Sequence, residues 1–337
     1  MRHVRGPARV ARIDRYHGKM PPAPSPNRTR ILLSFFCVYF FWGGTYLAMR
    51  FGVEVLPPFV LGSARYLVAA PLLLGLSAIF RLKMWPTRQE MARLAIIGVL
   101  MLGCGNTAVI WAEQYIPTGL TALLVASIPL YAALIEVILP QGEGLSLQGW
   151  VGIWIGFAGM VFLLWPGLRL GLRGDLRQII AAGVTLGGAL CWTAASVISR
   201  RSTIRISGFA AAGWQIVFGG LFNLCILLLT HGYHGTQWGV KAWGSILYLV
   251  IFGSLLTYTA YIYLLDHVAV SKVATYAYVN PVIAVIVGAI VLHERFVAVE
   301  YVGMGATLLA VFLVTSSKMK SGKPNVVDED LAVGQQA

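Results

Sequence analysis

The sequence contains an internal duplication, and both copies lie in strongly apolar stretches. Residues 106–135 reappear in altered form 152 positions later, as residues 258–287. Six residue pairs are identical without a gap: Thr107/Thr259, Ala108/Ala260, Ile110/Ile262, Ala122/Ala274, Pro129/Pro281 and Ala132/Ala284. At nearly the same offset Trp42 corresponds to Trp192 and Arg65 to Gln215. A repeat of about 150 residues is a half-molecule, far longer than the units of about 20 to 50 residues that build solenoids.

The composition excludes an ordinary soluble protein. Apolar residues make up 58% of the chain, charged residues only 12%, and the mean hydropathy is +0.74. A membrane-spanning helix needs about 20 apolar residues, and the sequence has ten such segments: Ile31–Phe51, Phe59–Phe80, Leu94–Trp111, Thr118–Leu139, Trp150–Trp165, Ile179–Ser199, Phe209–Thr230, Trp243–Leu264, Val273–Leu292 and Tyr301–Thr315. Barrel strands would alternate apolar and polar residues, which these segments do not.

The number of spans in each half determines the predicted architecture. Five is odd, so the second half must enter the bilayer upside down relative to the first. We therefore predict an all-α polytopic membrane protein of ten transmembrane helices, arranged as two inverted five-helix repeats. The predicted divisions are a leader at 1–30, the first repeat at 31–165, a connecting loop at 166–178, the second repeat at 179–317 and a polar tail at 318–337. Inverted repeats are typical of secondary transporters.

The net charge of +13 comes from basic residues whose positions indicate the orientation in the membrane. With the N-terminus inside, the inner segments hold eighteen Lys and Arg residues and the outer segments hold six. This bias predicts that both termini are cytoplasmic. The predicted outer loop that carries Arg169, Arg173 and Arg177 runs against the rule.

Residues 1–30 combine a basic run with Pro21, Pro22, Pro24 and Pro26. We interpret them as a disordered cytoplasmic leader with some affinity for anionic lipid, in preference to an arm that binds nucleic acid. Translation from Met20 would also give a normal short leader. The first apolar segment is too long for a signal peptide and is expected to be an uncleaved anchor.

Motifs for cofactor chemistry are missing from the sequence. It has no Gly-x-x-x-x-Gly-Lys-Ser/Thr loop and no His-Glu-x-x-His pair. Its four cysteines lie inside spans without paired spacing, so neither a disulfide framework nor a metal site is expected. Asp266 and His267 are adjacent near a span end, where they are expected to be interfacial and not catalytic. We predict no cofactor and no enzymatic activity.

Ionisable groups inside spans are the first candidates for function, since an unpaired charge in a membrane usually faces a cavity or a partner. Arg65 is the deepest predicted cation and Glu136 the deepest predicted anion. Arg65 can line a path for an anionic or zwitterionic solute, or it can hydrogen-bond between helices or extend to the interface. For Glu136 the favoured interpretation is a carboxylate that extends to the inner surface.

Pro129 and Pro281 occupy matching mid-span positions in the two halves. Each removes a backbone donor, and the carbonyls freed in this way can face a water-filled cavity. Polar and aromatic side chains surround the two prolines or lie at similar depths, and the candidates for substrate binding are Trp42, Tyr46, Arg65, Asn106, Trp111, Trp192, Gln215, Tyr258, Tyr276 and Asn280. Tyr261 and Tyr278 add further polar tips. The alternative for each aromatic residue is a place in an interfacial belt.

Several short motifs together resemble a known family. They are Trp42-Gly43-Gly44-Thr45-Tyr46, Pro57-Pro58 followed by Arg65-Tyr66, Gly105-Asn106 with Ala112-Glu113, Tyr276-Ala277-Tyr278-Val279-Asn280-Pro281, and Glu294. As a set, over residues 31–315, they are similar to the EamA-type branch of the drug/metabolite transporter superfamily. The resemblance implies a ten-helix carrier of the bacterial inner membrane, with a central cavity, that moves metabolites, amino acids or toxic compounds outward.

The sequence therefore predicts a secondary active transporter with alternating access. The expected partners are a small-molecule substrate, the lipid bilayer and a coupling proton or ion, and nucleic acid is not expected. In this hypothesis Arg65 attracts the negative group of the solute, and the amide side chains hydrogen-bond it. A passive channel would use the same helices, and a membrane-embedded enzyme is the third alternative.

Overall fold

Our computed structural model describes residues 28–139, 146–171, 176–268, 273 and 275–321. Within these residues all regular secondary structure is helical. The α-helices are α1 Arg28–Val53, α2 Pro58–Ile79, α3 Arg88–Gly98, α4 Thr107–Ala112, α5 Thr118–Val125, α6 Ile128–Ile138, α7 Leu147–Gly171, α8 Leu176–Arg201, α9 Gly208–Thr230, α10 Val240–Tyr248, α11 Thr257–His267, α12 Tyr276–Val291 and α13 Ala298–Ser321. Two π-helical segments, Val99–Asn106 and Leu249–Leu256, join α3 to α4 and α10 to α11.

Eight helical segments of the described chain are long and apolar enough to cross a membrane. They correspond to the first eight predicted spans, with α3 to α4, α5 to α6 and α10 to α11 each forming one segment. The predicted ninth and tenth spans are the helices α12 and α13, whose apolar parts, Val279–Val291 and Ala298–Val314, are shorter. The protein is thus a helical, multi-pass membrane protein, and the count of ten stays a prediction.

Several segment boundaries differ from those expected. The region predicted as the connecting loop, 166–178, is helical at both ends, because α7 continues through Pro166 to Gly171 and α8 begins at Leu176. Pro129 lies in the first turn of α6, just after the break between α5 and α6, where its missing amide costs no helical bond. Pro281 lies inside α12, which continues through it. The predicted leader before residue 28 and the tail after residue 321 lie outside the described residues.

The two π-helical segments occupy equivalent positions in the two halves, since 99 and 249 differ by the repeat offset. Each spans eight residues and interrupts a membrane helix at its middle. A π-helix pairs each amide with the carbonyl five residues back, and such segments occur often at functional sites. Their placement turns Asn106 at the end of the first segment, and Gly253 and Ser254 in the second, toward the centre of the molecule.

Two pairs of equivalent helices pack directly against each other across the molecule, and each pair is antiparallel. In α2 and α9, Gly62 contacts Asn223 near one end and Leu74 contacts Gly213 near the other. The helices α7 and α13 are also antiparallel, because Gly152 contacts Ala310 and Gly159 contacts Thr307. Their small residues allow the two helices to approach closely. Helices from the first half thus lie against their own counterparts in reversed direction.

In the remaining contacts, the first helix of each half packs on later helices of the other half. The first helix of the first half, α1, packs on α10, α11 and α12 of the second half. The first helix of the second half, α8, packs on α4, α5 and α6 of the first. The main buried cluster lies between these helices and includes Trp42, Tyr66, Trp192 and Tyr258. The interface between the halves is therefore the core of the molecule.

The outer surface is apolar along most of the helices. Phe36 and Phe40 on α1 are each 56% exposed, and Trp154 on α7 and Leu229 on α9 are more exposed still. Soluble proteins rarely leave so much large apolar surface uncovered. These faces are suited to contact with lipid, and polar side chains are collected at the centre instead.

Candidate functional site

A cavity lies in the core, between the two halves. It encloses about 610 Å³ of space free of protein atoms, part of it continuous with solvent. Helices α1, α2, α4, α5, α6, α8, α11 and α12 and both π-helical segments contribute to its wall, which consists of Trp42, Thr45, Tyr46, Met49, Arg65, Leu102, Gly105, Asn106, Val109, Val125, Ile128, Ala189, Trp192, Gly253, Tyr258, Tyr276 and Asn280.

Among the described residues, Arg65 is the single charged one in the cavity wall. It is 3% exposed, and its Nε donates to Ser254 Oγ at 2.9 Å while Nη1 donates to Asn106 Oδ1 at 2.9 Å. Asn106 Oδ1 also accepts a 2.7 Å hydrogen bond from the hydroxyl of Tyr66. All of these partners are neutral, and no described carboxylate lies within ion-pair distance of Arg65. Its positive charge is therefore held in place without being neutralised.

Gly253 makes room for the guanidinium group. A Cβ atom at this position would lie 2.7 Å from Arg65 Nη2 and 3.2 Å from Thr45 Cγ2. Nη2 makes no hydrogen bond to the described residues, so two of the donors of Arg65 are free to meet a solute. The second π-helical segment thus both anchors Arg65, through Ser254, and leaves space beside it.

Aromatic rings form another wall of the cavity. The ring centroid of Trp42 lies 5.5 Å from Trp192, 5.4 Å from Tyr276 and 5.0 Å from Tyr261. The indole of Trp192 donates to the Tyr261 hydroxyl at 3.3 Å, and the indole of Trp42 donates to the Gly253 carbonyl at 3.3 Å. Edge-to-face packing and these bonds fix the rings in position. This wall can accept an apolar or aromatic part of a solute.

Asn280 fastens α12 to α1 at the edge of the cavity. It is 4% exposed, and the surrounding carbonyls determine which way its amide points. In that orientation its nitrogen donates to the carbonyl of Tyr39 at 2.9 Å and to that of Val38 at 3.2 Å. The hydroxyls of Tyr39 and Thr275 form a further 2.6 Å hydrogen bond between these elements.

The structure brings together most of the residues predicted to bind substrate. Those in the cavity wall are Trp42, Tyr46, Arg65, Asn106, Trp192, Tyr258, Tyr276 and Asn280. Trp111 lies elsewhere, with its ring 4.8 Å from that of Tyr115. Pro129 and Pro281 do not line the wall, but their neighbours Ile128 and Asn280 do. Tyr261 supports Trp192 from behind, and the side chain of Tyr278 lies outside the described parts of the chain.

Gln215 lies behind the cavity wall. It is completely buried, and its Oε1 accepts a 2.5 Å hydrogen bond from the hydroxyl of Tyr258, which does line the cavity. Gln215 also lines a second, more polar cavity, together with Ser199, Ser202 and Asp266. The bond between Gln215 and Tyr258 therefore lies between two cavities.

The most buried acid of the described residues is Glu113, which the sequence interpretation did not select. It is 0% exposed, whereas Glu136, the anion that the sequence interpretation selected, is only half-buried. The third span was assigned an end at Trp111, which placed Glu113 in a loop. Packing of α1 and the α5 start around this turn buries it instead.

Ser254, Gly253 and Thr45 were also missed as contributors to the site. Small residues in apolar helices carry no signal of their own, because they are equally common where helices pack closely. The π-helical geometry, which has no clear sequence signature, is what directs Ser254 to Arg65. Within the described residues, no group of three or more His, Cys, Asp or Glu side chains is placed to hold a metal ion.

A model of the EamA-like transporter family matches this sequence twice, over residues 29–165 and 179–316. The chain belongs to the EamA-like transporter family. The resemblance noted in the sequence motifs is thereby confirmed. The two matches together cover most of the helices and include every residue of the cavity wall.

Similar proteins have been named as transporters in several organisms. The protein named Uncharacterized inner membrane transporter YedA of Escherichia coli (strain K12) is 32% identical over 284 residues, which cover 84% of this chain and 90% of that protein. The Uncharacterized transporter YoaV of Bacillus subtilis (strain 168) is 23% identical over 287 residues, covering 85% and 97%. A solved crystal structure with a TM-score of 0.62 and 19% identity covers 86% of this chain and 98% of that chain, so the two share a fold.

Proposed function

We propose that this EamA-family member is a secondary active transporter that exports small anionic or zwitterionic solutes across the bacterial inner membrane. One observation carries the proposal: the buried, un-neutralised cation Arg65 faces a central cavity, and the other described residues of its wall are neutral. A buried charge of this kind is costly and is retained where it meets a ligand. The inner-membrane location follows from the name of the Escherichia coli relative.

The substrate class follows from the chemistry of the wall. Arg65 offers donors to a carboxylate, phosphate or sulfonate, in the planar geometry that suits such groups. Trp42, Trp192 and Tyr276 offer an apolar aromatic surface for the rest of the solute. A metabolite, amino acid or drug-like compound that combines one anionic group with an apolar part fits both features.

Alternating access is supported by how the halves pack. Ten spans in two inverted repeats of five would place α2 against α9 and α7 against α13 in antiparallel pairs, as they are found. Rigid-body rocking of one repeat against the other then exposes the central cavity to each side in turn. Under this topology both termini are cytoplasmic, and the distribution of Lys and Arg favours the same orientation.

The test is a comparison of metabolites released by cells that overexpress the protein with those released by cells that lack it. Compounds enriched in the medium of the first and depleted in that of the second are the candidates, and the proposal expects them to carry an anionic group. Release against a concentration gradient that collapses with the ion gradient supports a secondary transporter. Release that only follows the solute gradient would identify a passive channel, and enrichment of cations alone would contradict the role of Arg65.

A further inference from the structure

Glu113 combines complete burial with incomplete hydrogen bonding. Its Oε2 accepts a 3.0 Å hydrogen bond from the hydroxyl of Thr118, but its Oε1 has no partner among the described residues. An ionised carboxylate with a bare oxygen is expensive to bury, and protonation removes the charge. Among the described residues, the Glu113 side chain does not line the cavity and does not contact Arg65.

Two helices place Glu113 one turn beyond the central cavity. Along the third span, Asn106 and Val109 line the cavity, and Glu113 follows on the same helical face at the end of α4. Along α1, Tyr46 lines the cavity, and Arg50 follows one turn later and donates to the Glu113 carbonyl. Glu113 is therefore next to the cavity, on the side where α1 and α4 end.

Charged and titratable groups from the elements packed around Glu113 act on it in opposite directions. The guanidinium of Arg50, whose Nε also lies 3.6 Å from Glu54 Oε1, favours the ionised form of Glu113, as does the Thr118 hydroxyl. The carboxylate of Glu294, which caps α5 through the Thr118 and Gly119 amides, favours the protonated form. The hydroxyl of Tyr46 on α1 is also close enough to interact with Glu113.

We infer that Glu113 is a proton-binding site that couples proton movement to the transport cycle, an inference that rests on the proposed function. A proton adds to Oε1 as a single O–H bond and leaves as hydrated proton when the site is exposed to the other side. Burial, followed by the carboxylate of Glu294, favours the protonated form and raises the pKa of Glu113 well above its ordinary value, while Thr118 and Arg50 act in the other direction. Because Glu113 lies next to the cavity, rocking of the repeats changes its exposure together with that of the solute.

Infrared difference spectroscopy on the full-length protein in lipid tests the site without any solute. Ordinary Glu side chains ionise at about pH 4, so a carboxylic-acid C=O band that persists at neutral pH reports a buried protonated acid. We expect this band in the wild type and in Glu136→Gln, and its loss in Glu113→Gln. Absence of the band from the wild type at neutral pH, or its survival in Glu113→Gln, overturns the inference.

If Glu113→Gln fails to fold, a second pair of variants tests whether Glu113 gives the carboxylic-acid band. Thr118→Val removes the donor to Oε2, and the band should then persist to a pH higher by about one unit, since the ionised form loses a charge-assisted bond. Thr121→Val is the matched control, because its buried hydroxyl donates to the Pro117 carbonyl and bonds no other residue in the described parts of the chain. Equal behaviour of the two variants contradicts the assignment. An intact band in a protein that exports nothing would instead refute the proposed function and leave the site in place.

Discussion

Tyr258 donates a 2.5 Å hydrogen bond to Gln215, and the positions that these two residues occupy in the second half correspond to Asn106 and Arg65 in the first. The first-half pair is hydrogen-bonded as well, at 2.9 Å. Both bonds connect the second helix of a repeat with the π-interrupted third. Both halves thus have a hydrogen bond at this position, and the bond involves a charged side chain, Arg65, in the first half only.

Replacement of Arg65 by Gln should weaken solute binding. A hydrogen bond to a charged group contributes about 1.5 to 3 kcal/mol, so the half-saturating concentration should rise by one to two orders of magnitude. Transport of the released compound in vesicles, at matched amounts of protein, measures this. Asn280→Leu should have a milder effect. Normal transport by Arg65→Gln, or a defect only in the amount of folded protein, would reassign Arg65 to helix packing.

Replacement of Gly253 by Ala should displace the guanidinium group without removing it. The added Cβ would lie 2.7 Å from Arg65 Nη2, so the side chain must move from its bonds. We expect a half-saturating concentration between those of the wild type and Arg65→Gln. Gly244→Ala, in α10 of the same span, is the matched control, since a Cβ there meets nothing within 4 Å. Equal kinetics of the two variants would show that Arg65 need not be held at Gly253.

Loss of the Tyr258 hydroxyl should open a route between the two cavities. A thiol introduced by Thr45→Cys in a cysteine-free background reports access to the central cavity. Removing one hydrogen bond of about 1 kcal/mol by Tyr258→Phe should speed its labelling from the cytoplasmic face by about fivefold. Tyr263→Phe, on the outer face of the same helix, should leave the rate unchanged. An unchanged rate in Tyr258→Phe would mean that this bond does not separate the cavities.

Cysteine tagging can also check the orientation of the second half. In the proposed topology Arg88 and Arg201 lie in the cytoplasm and Lys241 lies outside. With the four native cysteines removed, Lys241→Cys should react with an impermeant thiol reagent added to intact cells, and Arg88→Cys should not. Reaction of Arg201→Cys under those conditions is incompatible with five spans in each half.

The sequence predicted the helical membrane architecture and eight of the seventeen described residues of the cavity wall for a physical reason. Polar groups are so costly in a bilayer that Arg65, Asn106 and Asn280 stand out from an apolar background. Gln215 is also a polar residue within an apolar span, but it hydrogen-bonds Tyr258 and does not line the central cavity. The depth of a residue in a span does not give the direction in which its side chain points.

Other features depended on tertiary structure. The burial of Glu113 depends partly on α1, a helix distant in sequence, which no local pattern reports. The π-helical segments Val99–Asn106 and Leu249–Leu256 depend on backbone pairing, and ordinary apolar residues accommodate it. Trp111 lies outside the central cavity wall, because an aromatic residue near a span end packs beside Tyr115 as readily as it lines a cavity.

Arg65 lines the cavity from α2, whereas its counterpart in α9 of the second half is a neutral amide, Gln215, which lies behind the wall. A solute with one anionic group consequently has a single favourable orientation between the two halves. Mirror-image forms of a chiral solute, held at the same guanidinium group, would present their other substituents to different walls, one aromatic and one aliphatic. Handedness should therefore matter to this protein as much as size does.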